Sequence, residues 1–248
     1  MTLEQFFAEN REVAIAFSGG VDSAYLLYAA TRYAARVKAY YVNTAFQPEF
    51  ELADARRLAD ELGADMLVLH VDVLSNSAVT ANLSDRCYHC KNTLFRQILR
   101  AAENDGFPVL LDGTNASDDA GDRPGMRALR ELSVRSPLRE CGLTKAEIRR
   151  LSREAGLFTW DKPAYACLAT RIRTGEEITL QKLKQTEKAE GFLFGLGFRD
   201  FRVRMVGNTA KLELREADLP LLLENREKIV TELRKDYDSV LLNLEVRK

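Results

Sequence analysis

The sequence lacks an excess of basic charge. Its 36 Lys and Arg residues are balanced by 37 Asp and Glu residues, so the 248-residue chain carries a formal net charge of −1. Proteins that bind nucleic acid along a broad surface need a net positive field there. This balance therefore argues against RNA or DNA as a partner of the whole molecule, although it does not exclude local basic patches.

The sequence also lacks long apolar runs, internal repeats and low-complexity stretches. No apolar run approaches the roughly 20 residues that a bilayer-spanning helix needs. The start, MTLEQFFAENRE, contains acidic residues and has neither the basic beginning nor the apolar core of a signal peptide. We therefore expect a cytoplasmic protein without a membrane partner.

Cysteine and histidine are scarce. Four cysteines in a chain of this length are too few for a disulfide scaffold, so the CxxC pair of Cys87 and Cys90 indicates metal or redox chemistry. Cys141 has no partner nearby in sequence and is expected to pack as a small apolar residue. His70 lies inside an apolar stretch and is expected to be a core histidine with satisfied hydrogen bonds.

Segments typical of strands alternate with segments of helical periodicity in the first part of the chain. Strands are predicted at 12–17, 37–43, 65–73 and 107–113, and helices at 21–35, 50–62 and 90–103. This alternation predicts an α/β fold with a doubly wound parallel sheet that binds ligands at the carboxyl ends of its strands. We assign residues 1–160 to this domain, 161–178 to a crossing segment, and 179–248 to a small α+β domain for substrate binding or oligomerisation.

Local patterns set several boundaries within these domains. Thr144 and Glu147 form a capping box, which predicts a helix that ends at Gly156. Residues 201–215 alternate apolar and polar side chains around a Gly-Asn turn, which predicts a hairpin. Further elements of the C-terminal domain are predicted at 179–196 (helix), 216–235 (helix) and 239–246 (strand).

A turn suited to an anion follows the first predicted strand. The stretch SGGVDS, residues 18–23, joins that strand directly to a helix, and glycines there let the backbone approach an oxyanion. The candidate phosphate contacts are Ser18, Gly19, Gly20 and Ser23. No Gly-Lys-Ser/Thr follows, so the stretch is not the common P-loop. A bare Ser-Gly-Gly turn would usually be only a tight connection.

A second polar loop ends the fourth predicted strand. VLLDGTNASDD, residues 109–119, finishes in a glycine and in side chains that form hydrogen bonds. Because the carboxyl ends of parallel strands meet at one sheet edge, Gly113 and Thr114 are expected beside the phosphate turn. Taken alone, this loop would be interpreted as an ordinary polar turn.

The phosphate turn resembles the SGGxDS signature of the PP-loop ATP pyrophosphatases. That resemblance implies that the turn binds the pyrophosphate of ATP while ATP adenylates a substrate oxygen, and that Asp22 orients the loop or a bound Mg²⁺ ion. Four further stretches, RCYHCK, DGTNASD, RSPLRECGLTKAEIR and WDKPAYACLATR, together resemble the LarE family, the pyridinium-3,5-bisthiocarboxylic acid mononucleotide synthases. The resemblance covers most of the chain and is weaker over the C-terminal domain.

The resemblance to the LarE family implies a reaction. A carboxylate of pyridinium-3,5-biscarboxylic acid mononucleotide would be adenylated with release of pyrophosphate, and sulfur would then displace AMP to give a thiocarboxylate. A second round would convert the other carboxylate, for synthesis of a nickel-pincer nucleotide cofactor used by lactate racemase. The implied partners are this small molecule and a sulfide donor, and the implied assembly is a homo-oligomer, with a hexamer as one form.

Two sulfur sources are known in such enzymes. In one, a single crossing-segment cysteine, here Cys167, gives up its own sulfur. In the other, three cysteines hold a 4Fe–4S cluster that carries an exchangeable sulfide, and here Cys87, Cys90 and Cys167 fill these positions. Three ligands favour the cluster, since a closed zinc site normally takes four. His89 or Cys141 could supply a fourth ligand, so zinc stays open.

The family's substrate-binding residues also have counterparts in this sequence. Thr170 and Arg171 match a Ser/Thr-Arg pair that contacts phosphate, and Glu190 resembles a carboxylate near the metal or substrate. Arg202 and Arg204 alternate on the predicted hairpin, and paired guanidiniums can bind phosphate bidentately. For a hairpin viewed alone, solvated surface arginines would be the simpler interpretation.

Other functions compete with this one. A PP-loop tRNA thiolase with a three-cysteine cluster would use the same adenylate chemistry, but the near-neutral charge disfavours it. An amide-forming PP-loop synthetase would leave the three cysteines unexplained. A non-catalytic module that binds ATP and an iron–sulfur cluster is the alternative outside enzymes.

Overall fold

Internal contacts divide the chain into two units. The computed structural model describes residues 1–118 and 124–247. Unit 1 comprises Met1–Val73 and Asp85–Ala164, and unit 2 comprises Leu74–Ser84 and Tyr165–Lys248. The segment 74–84 therefore belongs to the C-terminal unit although it lies within the N-terminal half of the sequence.

Helices and strands alternate through unit 1. In chain order the described α-helices are α1 (Leu3–Glu9), α2 (Val21–Tyr33), α3 (Glu49–Leu62), α4 (Ser77–Thr80), α5 (Arg86–Asn104), α6 (Pro124–Glu131), α7 (Pro137–Glu140), α8 (Lys145–Glu154), α9 (Leu180–Gly195), α10 (Leu219–Glu224) and α11 (Arg226–Leu233). The strands are β1 (Glu12–Phe17), β2 (Arg36–Asn43), β3 (Asp65–His70), β4 (Val109–Leu111), β5 (Arg202–Val206), β6 (Thr209–Glu213) and β7 (Ser239–Leu242). Among the described helices, none combines the length and hydropathy needed to cross a bilayer.

The sheet of unit 1 is parallel throughout, in the order β3-β2-β1-β4. Alternate residues of β1 face opposite sides of this sheet. Val13 and Ile15 belong to a core cluster with α1, α2 and α8, whereas Ala14 packs in a second cluster with Ile98 of α5. Helices therefore cover both faces, and the predicted α/β fold with a doubly wound parallel sheet is confirmed.

The capping box at the start of α8 is confirmed. The Glu147 amide donates to the Thr144 hydroxyl oxygen at 3.3 Å, and the Thr144 amide donates to the Glu147 carboxylate at 2.8 Å. Hydrogen bonds from Thr144 also hold the pKa of the Glu147 carboxyl below its usual value. Gly156 follows the helix with φ of +73°, a conformation that favours glycine. Capping thus fixes the position of α8 from local sequence.

His70 is not a core residue, and that expectation was wrong. The residue ends β3, which lies at the edge of the sheet, and its side chain is exposed. Its imidazole Nδ1 lies 3.5 Å from the Asn43 side-chain nitrogen on β2. Apolar neighbours in sequence indicated burial on both faces, which an edge strand does not have.

Unit 2 contains a three-stranded sheet in the order β5-β6-β7, with an antiparallel β5–β6 hairpin. The hairpin turns at Gly207, whose φ is +57°, so the predicted Gly-Asn turn is confirmed. The predicted helix 216–235 is interrupted at Asn225, which ends α10 and precedes α11. The Asn225 side chain donates to the Leu221 carbonyl at 3.0 Å, a backbone contact that competes with helix continuation.

The segment 74–84 joins unit 2 through Asn82. This residue is buried and has φ of +54°, which asparagine tolerates better than most residues. Its side-chain amide donates to the carbonyl oxygens of Arg173 and Glu176 at 2.9 and 3.0 Å, and the Gly175 amide donates to its carbonyl at 2.9 Å. These bonds fix the loop that follows Arg171 in the chain.

Candidate functional site

Residues 18–23 form a tight connection between β1 and α2. The Ser23 hydroxyl accepts a hydrogen bond from the Ser18 amide at 3.3 Å, donates to the Gly20 carbonyl at 3.1 Å, and lies 3.0 Å from the Ser18 hydroxyl. No described side chain caps α2, whose N-cap residue is Gly20. The first amides of α2 are thus left to an external acceptor, and the helix dipole favours an anion there.

Two glycines allow backbones to approach closely at this connection. Gly19 has φ of +71°, and a Cβ there would lie 3.2 Å from the Ala55 Cβ on α3. Gly113, which follows β4, lies against the first turn of α2, where a Cβ would come within 2.9 Å of the Ser23 amide nitrogen. The predicted proximity of the two loops is therefore what the structure shows within unit 1.

A cavity of about 310 Å³ opens beside these two loops. Its lining includes the phosphate-turn residues Ser18, Gly20, Asp22 and Ser23, the β4-loop residues Asp112, Gly113, Thr114 and Asp118, and Lys91 and Phe95 of α5. This volume lies at the lower end of the range typical of small-molecule sites. Asp119, the last residue of the predicted loop, lies outside the described residues.

Asp112 organises the β4 loop from a buried position. Its carboxylate accepts hydrogen bonds from the Thr114 amide at 3.2 Å, the Thr114 hydroxyl at 2.5 Å and the Ser136 hydroxyl at 2.6 Å. These contacts fix Thr114 at the cavity wall. Sequence analysis did not single out Asp112, because a carboxylate in a polar turn is common on protein surfaces.

Lys91 and Phe95 were also missed by sequence analysis. They are four residues apart and therefore lie on one side of α5, where Lys91 contributes a cation to the cavity wall. Lysine and phenylalanine at helical spacing normally indicate an amphipathic helix, so only the packing of α5 on the sheet distinguishes them. Lys91 follows Cys90 directly in the chain.

Replacing Gly113 with alanine is expected to weaken ATP binding and to destabilise the protein. The new Cβ would lie 2.9 and 3.2 Å from the Ser23 amide nitrogen and Cα. Both are backbone atoms of α2, so the first turn of that helix has to move, at a cost of about 1–3 kcal/mol. Urea unfolding and calorimetric titration with ATP measure the two effects.

Gly191 on α9 provides the matched control. A Cβ there meets no atom within 4 Å, so Gly191→Ala is expected to stabilise the helix by about 0.5–1 kcal/mol and to leave ATP affinity unchanged. Wild-type ATP affinity in Gly113→Ala would contradict the assignment of the β4 loop to the site.

Cys87 and Cys90 lie at the beginning of α5, three residues apart, and so occupy one side of the helix. Cys87 is exposed and Cys90 half-buried, and the Arg86 guanidinium lies 3.6 Å from the Cys87 sulfur. Cys167 belongs to unit 2, is half-buried, and precedes the helical turn Leu168–Arg171. All four cysteines are described, and none forms a disulfide, so thiolate ligands are available.

The residues that kept zinc open have other contacts. Cys141 packs against the core of unit 1, as expected, and burial raises the pKa of its thiol. The His89 imidazole lies 3.1 Å from the Asp85 carboxylate. Over residues 1–118 and 124–247, no group of three or more His, Cys, Asp or Glu side chains is arranged to hold a metal ion. Metal binding therefore stays a prediction.

Arg171 lies in the core of unit 2, in an ion pair with Glu190. Two of its nitrogens lie 2.7 and 3.0 Å from the two carboxylate oxygens, and the side chains expose 0% and 1% of their surface. The third nitrogen donates to the Ala166 carbonyl at 2.9 Å and the Thr170 hydroxyl at 2.8 Å. Burial lowers the pKa of Arg171, but the Glu190 hydrogen bonds and charge outweigh it and raise the pKa above its ordinary value.

Glu190 accepts four hydrogen bonds. Besides the two from Arg171, it accepts one from the Val203 amide at 2.9 Å and one from the Tyr165 hydroxyl. Each carboxylate oxygen therefore has two donors, which matches its capacity. A substrate or metal at Glu190 would have to displace one of these donors.

Arg202 and Arg204 alternate on β5 but lie in different surroundings. Arg202 is buried and donates to the Phe201 carbonyl at 2.6 Å, and burial with the positive charges of Arg171 and Arg247 lowers its pKa. Arg204 is partly exposed and contacts the Glu213 carboxylate at 2.8 Å and the Thr170 carbonyl. Unit 2 thus brings the predicted substrate residues together around an excess of guanidinium charge.

Comparison with known proteins agrees with this site. The asparagine synthase family model matches residues 4–119, which include the phosphate turn and most of the β4 loop. Pyridinium-3,5-bisthiocarboxylic acid mononucleotide synthase from Lactiplantibacillus plantarum is 32% identical over 235 residues, which cover 94% of this chain and 85% of that protein.

Two further relatives differ in how much of the chain they match. An uncharacterized protein from Synechocystis is 39% identical over 86% of this chain and 80% of its own length. A tRNA-specific 2-thiouridylase from Thermotoga petrophila is 26% identical over 59% of this chain and 52% of its own length. Similarity to the thiouridylase is therefore confined to part of each protein.

Proposed function

Because the chain belongs to the LarE family of pyridinium-3,5-bisthiocarboxylic acid mononucleotide synthases, we propose that it is an ATP-dependent sulfur transferase. Its substrate would be pyridinium-3,5-biscarboxylic acid mononucleotide and its product the bisthiocarboxylate for nickel-pincer cofactor synthesis. The observation that supports ATP use most strongly is the cavity between the uncapped start of α2 and the Gly113 loop. The cytoplasmic location and the homo-oligomeric state stay predictions.

The proposed chemistry proceeds in two steps for each carboxylate. A substrate carboxylate oxygen attacks the α-phosphorus of ATP, and pyrophosphate leaves to the amides and serine hydroxyls around residues 18–23. The acyl-adenylate is a better electrophile than the carboxylate because AMP is a good leaving group. Sulfide then attacks the acyl carbon, AMP departs, and a thiocarboxylate remains.

Residues of unit 1 suit ATP and a divalent cation. The side chains of Asp22, Asp112 and Asp118 at the cavity present carboxylate oxygens, which are ligands that Mg²⁺ prefers. Lys91 on the same wall is available to a phosphate oxygen. Phosphates would therefore lie between the α2 amides and these side chains.

Residues of unit 2 suit the anionic substrate. Thr170, Arg202 and Arg204 are assigned to its phosphate and carboxylates, whereas Arg171 and Glu190 hold Thr170 and β5 in place through their buried hydrogen bonds. Because Arg171 is already neutralised by Glu190, Arg202 is the buried guanidinium with the stronger remaining attraction for an anion.

The sulfur source is assigned to a three-thiolate site. Cys87, Cys90 and Cys167 are soft ligands without disulfide partners, which suits iron–sulfur binding. A 4Fe–4S cluster bound there would supply an exchangeable sulfide. The CxxC spacing at the start of α5 fits two of the three ligands.

The decisive assay measures pyrophosphate and AMP release in the presence of ATP, with and without the pyridinium biscarboxylate and with and without sulfide. We expect pyrophosphate only with the pyridinium substrate, and thiocarboxylate only when sulfide is also present. ATP binding without pyrophosphate release would instead identify a non-catalytic module. Failure to bind ATP would disprove the proposal.

A tRNA thiolase is the second candidate, because the partial similarity to a tRNA-specific 2-thiouridylase includes the same ATP chemistry. A net charge of −1 disfavours it, since tRNA binding depends on basic surface. Salt-sensitive binding of tRNA, together with tRNA-dependent pyrophosphate release, would favour this candidate over the pyridinium substrate.

A further inference from the structure

The Asp22 carboxylate lies between two residues that are distant in sequence. The ammonium of Lys145, the first residue of α8, donates to Asp22 Oδ2, and the Asn115 side-chain amide donates to Oδ1 at 3.3 Å. Asp22 also lines the cavity beside the phosphate turn. Three segments of unit 1, namely the start of α2, the β4 loop and the start of α8, therefore meet at one carboxylate.

The backbone of Lys145 is held in place, whereas its side chain is not. The Lys145 amide donates to the Ser117 hydroxyl at 2.9 Å, and the Ala116 amide donates to the Leu143 carbonyl at 2.8 Å. The Lys145 side chain keeps 34% of its surface exposed, compared with 22% for Asp22. A flexible lysine stem anchored at this point can move its ammonium without moving α8.

The charges at the cavity give this mobility a purpose. Asp22, Asp112 and Asp118 contribute three carboxylates to the lining, and Lys91 contributes one cation. A triphosphate is strongly anionic, so these carboxylates oppose its entry unless cations offset them. Lys145 offsets the carboxylate at the phosphate turn itself.

We propose that Lys145 is an exchangeable counter-ion of the phosphate turn. Without nucleotide, its ammonium pairs with Asp22. When a triphosphate binds, the ammonium moves to a phosphate oxygen and leaves Asp22 to a divalent cation. This inference rests on the proposed ATP site but not on sulfur transfer.

The exchange predicts opposite changes for the two classes of ligand. In Lys145→Met, a side chain of similar length without charge, the affinity for pyrophosphate in the absence of metal falls about 10-fold, or about 1.4 kcal/mol. The affinity for Mn²⁺ alone rises, because Asp22 loses its competing ammonium. Asp22→Asn gives the reverse, with weaker Mn²⁺ binding and tighter metal-free pyrophosphate binding. Calorimetry measures pyrophosphate, and the paramagnetic resonance of free Mn²⁺ measures the metal.

Two further variants complete the test. Lys145→Arg keeps the charge and is expected to bind pyrophosphate within about threefold of wild type. Lys38→Met removes a lysine that pairs with Asp65 and Asp105 and is not among the residues lining the cavity. It is expected to leave both affinities unchanged.

The signs decide between the exchange and a fixed structural pair. A fall in both affinities in Lys145→Met would overturn the proposal, because a merely structural contact supports the turn for every ligand. Unchanged affinities would overturn it as well, while ATP binding by the wild type would leave the proposed function intact. A wild-type protein that binds neither pyrophosphate nor ATP would refute the proposed function itself.

Discussion

Replacing Arg171 with methionine is expected to lower the free energy of unfolding by about 3–5 kcal/mol. The substitution would leave the Glu190 carboxylate, with 1% of its side chain exposed, without its cationic partner inside unit 2. Burying an unpaired charge is costly because water no longer solvates it. Urea unfolding followed by circular dichroism measures the loss. Sulfur transfer is expected to fall with it, while ATP affinity, which depends on unit 1, changes little.

A surface pair in the same unit provides the control. Lys188 lies 2.6 Å from Asp236, but these side chains are 55% and 35% exposed, so Lys188→Met is expected to cost less than about 1 kcal/mol. The double variant Arg171→Met/Glu190→Leu removes both charges and is expected to recover much of the stability without recovering sulfur transfer. An Arg171→Met protein as stable as wild type would show that the pair does not hold unit 2 together.

Sequence predicted the fold where the determining interactions are local. The strand at 12–17 has the bounds expected, because a short apolar run followed directly by Gly-Gly has few alternatives. The start of α8 was predicted equally well, since Thr144 and Glu147 satisfy each other's backbone amides within one turn. The phosphate turn belongs to the same class, because its serines and glycines contact one another.

Sequence failed where the determining contact is distant. Asn82 fixes segment 74–84 to unit 2 through carbonyl groups about 90 residues away, and no periodicity in 74–84 indicates this. His70 was placed in the core because strand composition does not reveal sheet order, and β3 is at the edge. Asn225 interrupts a predicted helix through one side-chain contact that pattern analysis does not weigh.

The same distinction applies to the candidate site. The predicted loops at 18–23 and after β4 were found from glycines and small polar residues, which mark close backbone approach. Lys145 was not found, because a lysine in the first turn of a helix is expected to be solvated. Its distance of 123 residues from Asp22 in sequence means that only the fold brings the two charges together.

Alanine at any one of three cysteines is expected to abolish iron binding and sulfur transfer. These variants are Cys87→Ala, Cys90→Ala and Cys167→Ala. Three thiolates leave one iron of a 4Fe–4S cluster without a protein ligand, and loss of a further ligand leaves two, which is too few to retain the cluster. Iron analysis and visible absorbance after anaerobic reconstitution measure binding, and thiocarboxylate formation measures transfer.

Cys141→Ala is the matched control, because this thiol packs against the core of unit 1. It is expected to bind iron and to transfer sulfur as the wild type does, with only a modest loss of stability from the smaller side chain. Stoichiometric zinc with no iron after reconstitution would contradict the cluster and favour a closed metal site. A protein that binds no metal, turns over once and loses the elements of H₂S from Cys167 by mass spectrometry would instead identify that cysteine as the sulfur donor. Because AMP can leave only when a sulfur nucleophile arrives, each of these outcomes also tests whether adenylation and sulfur delivery are coupled in this chain.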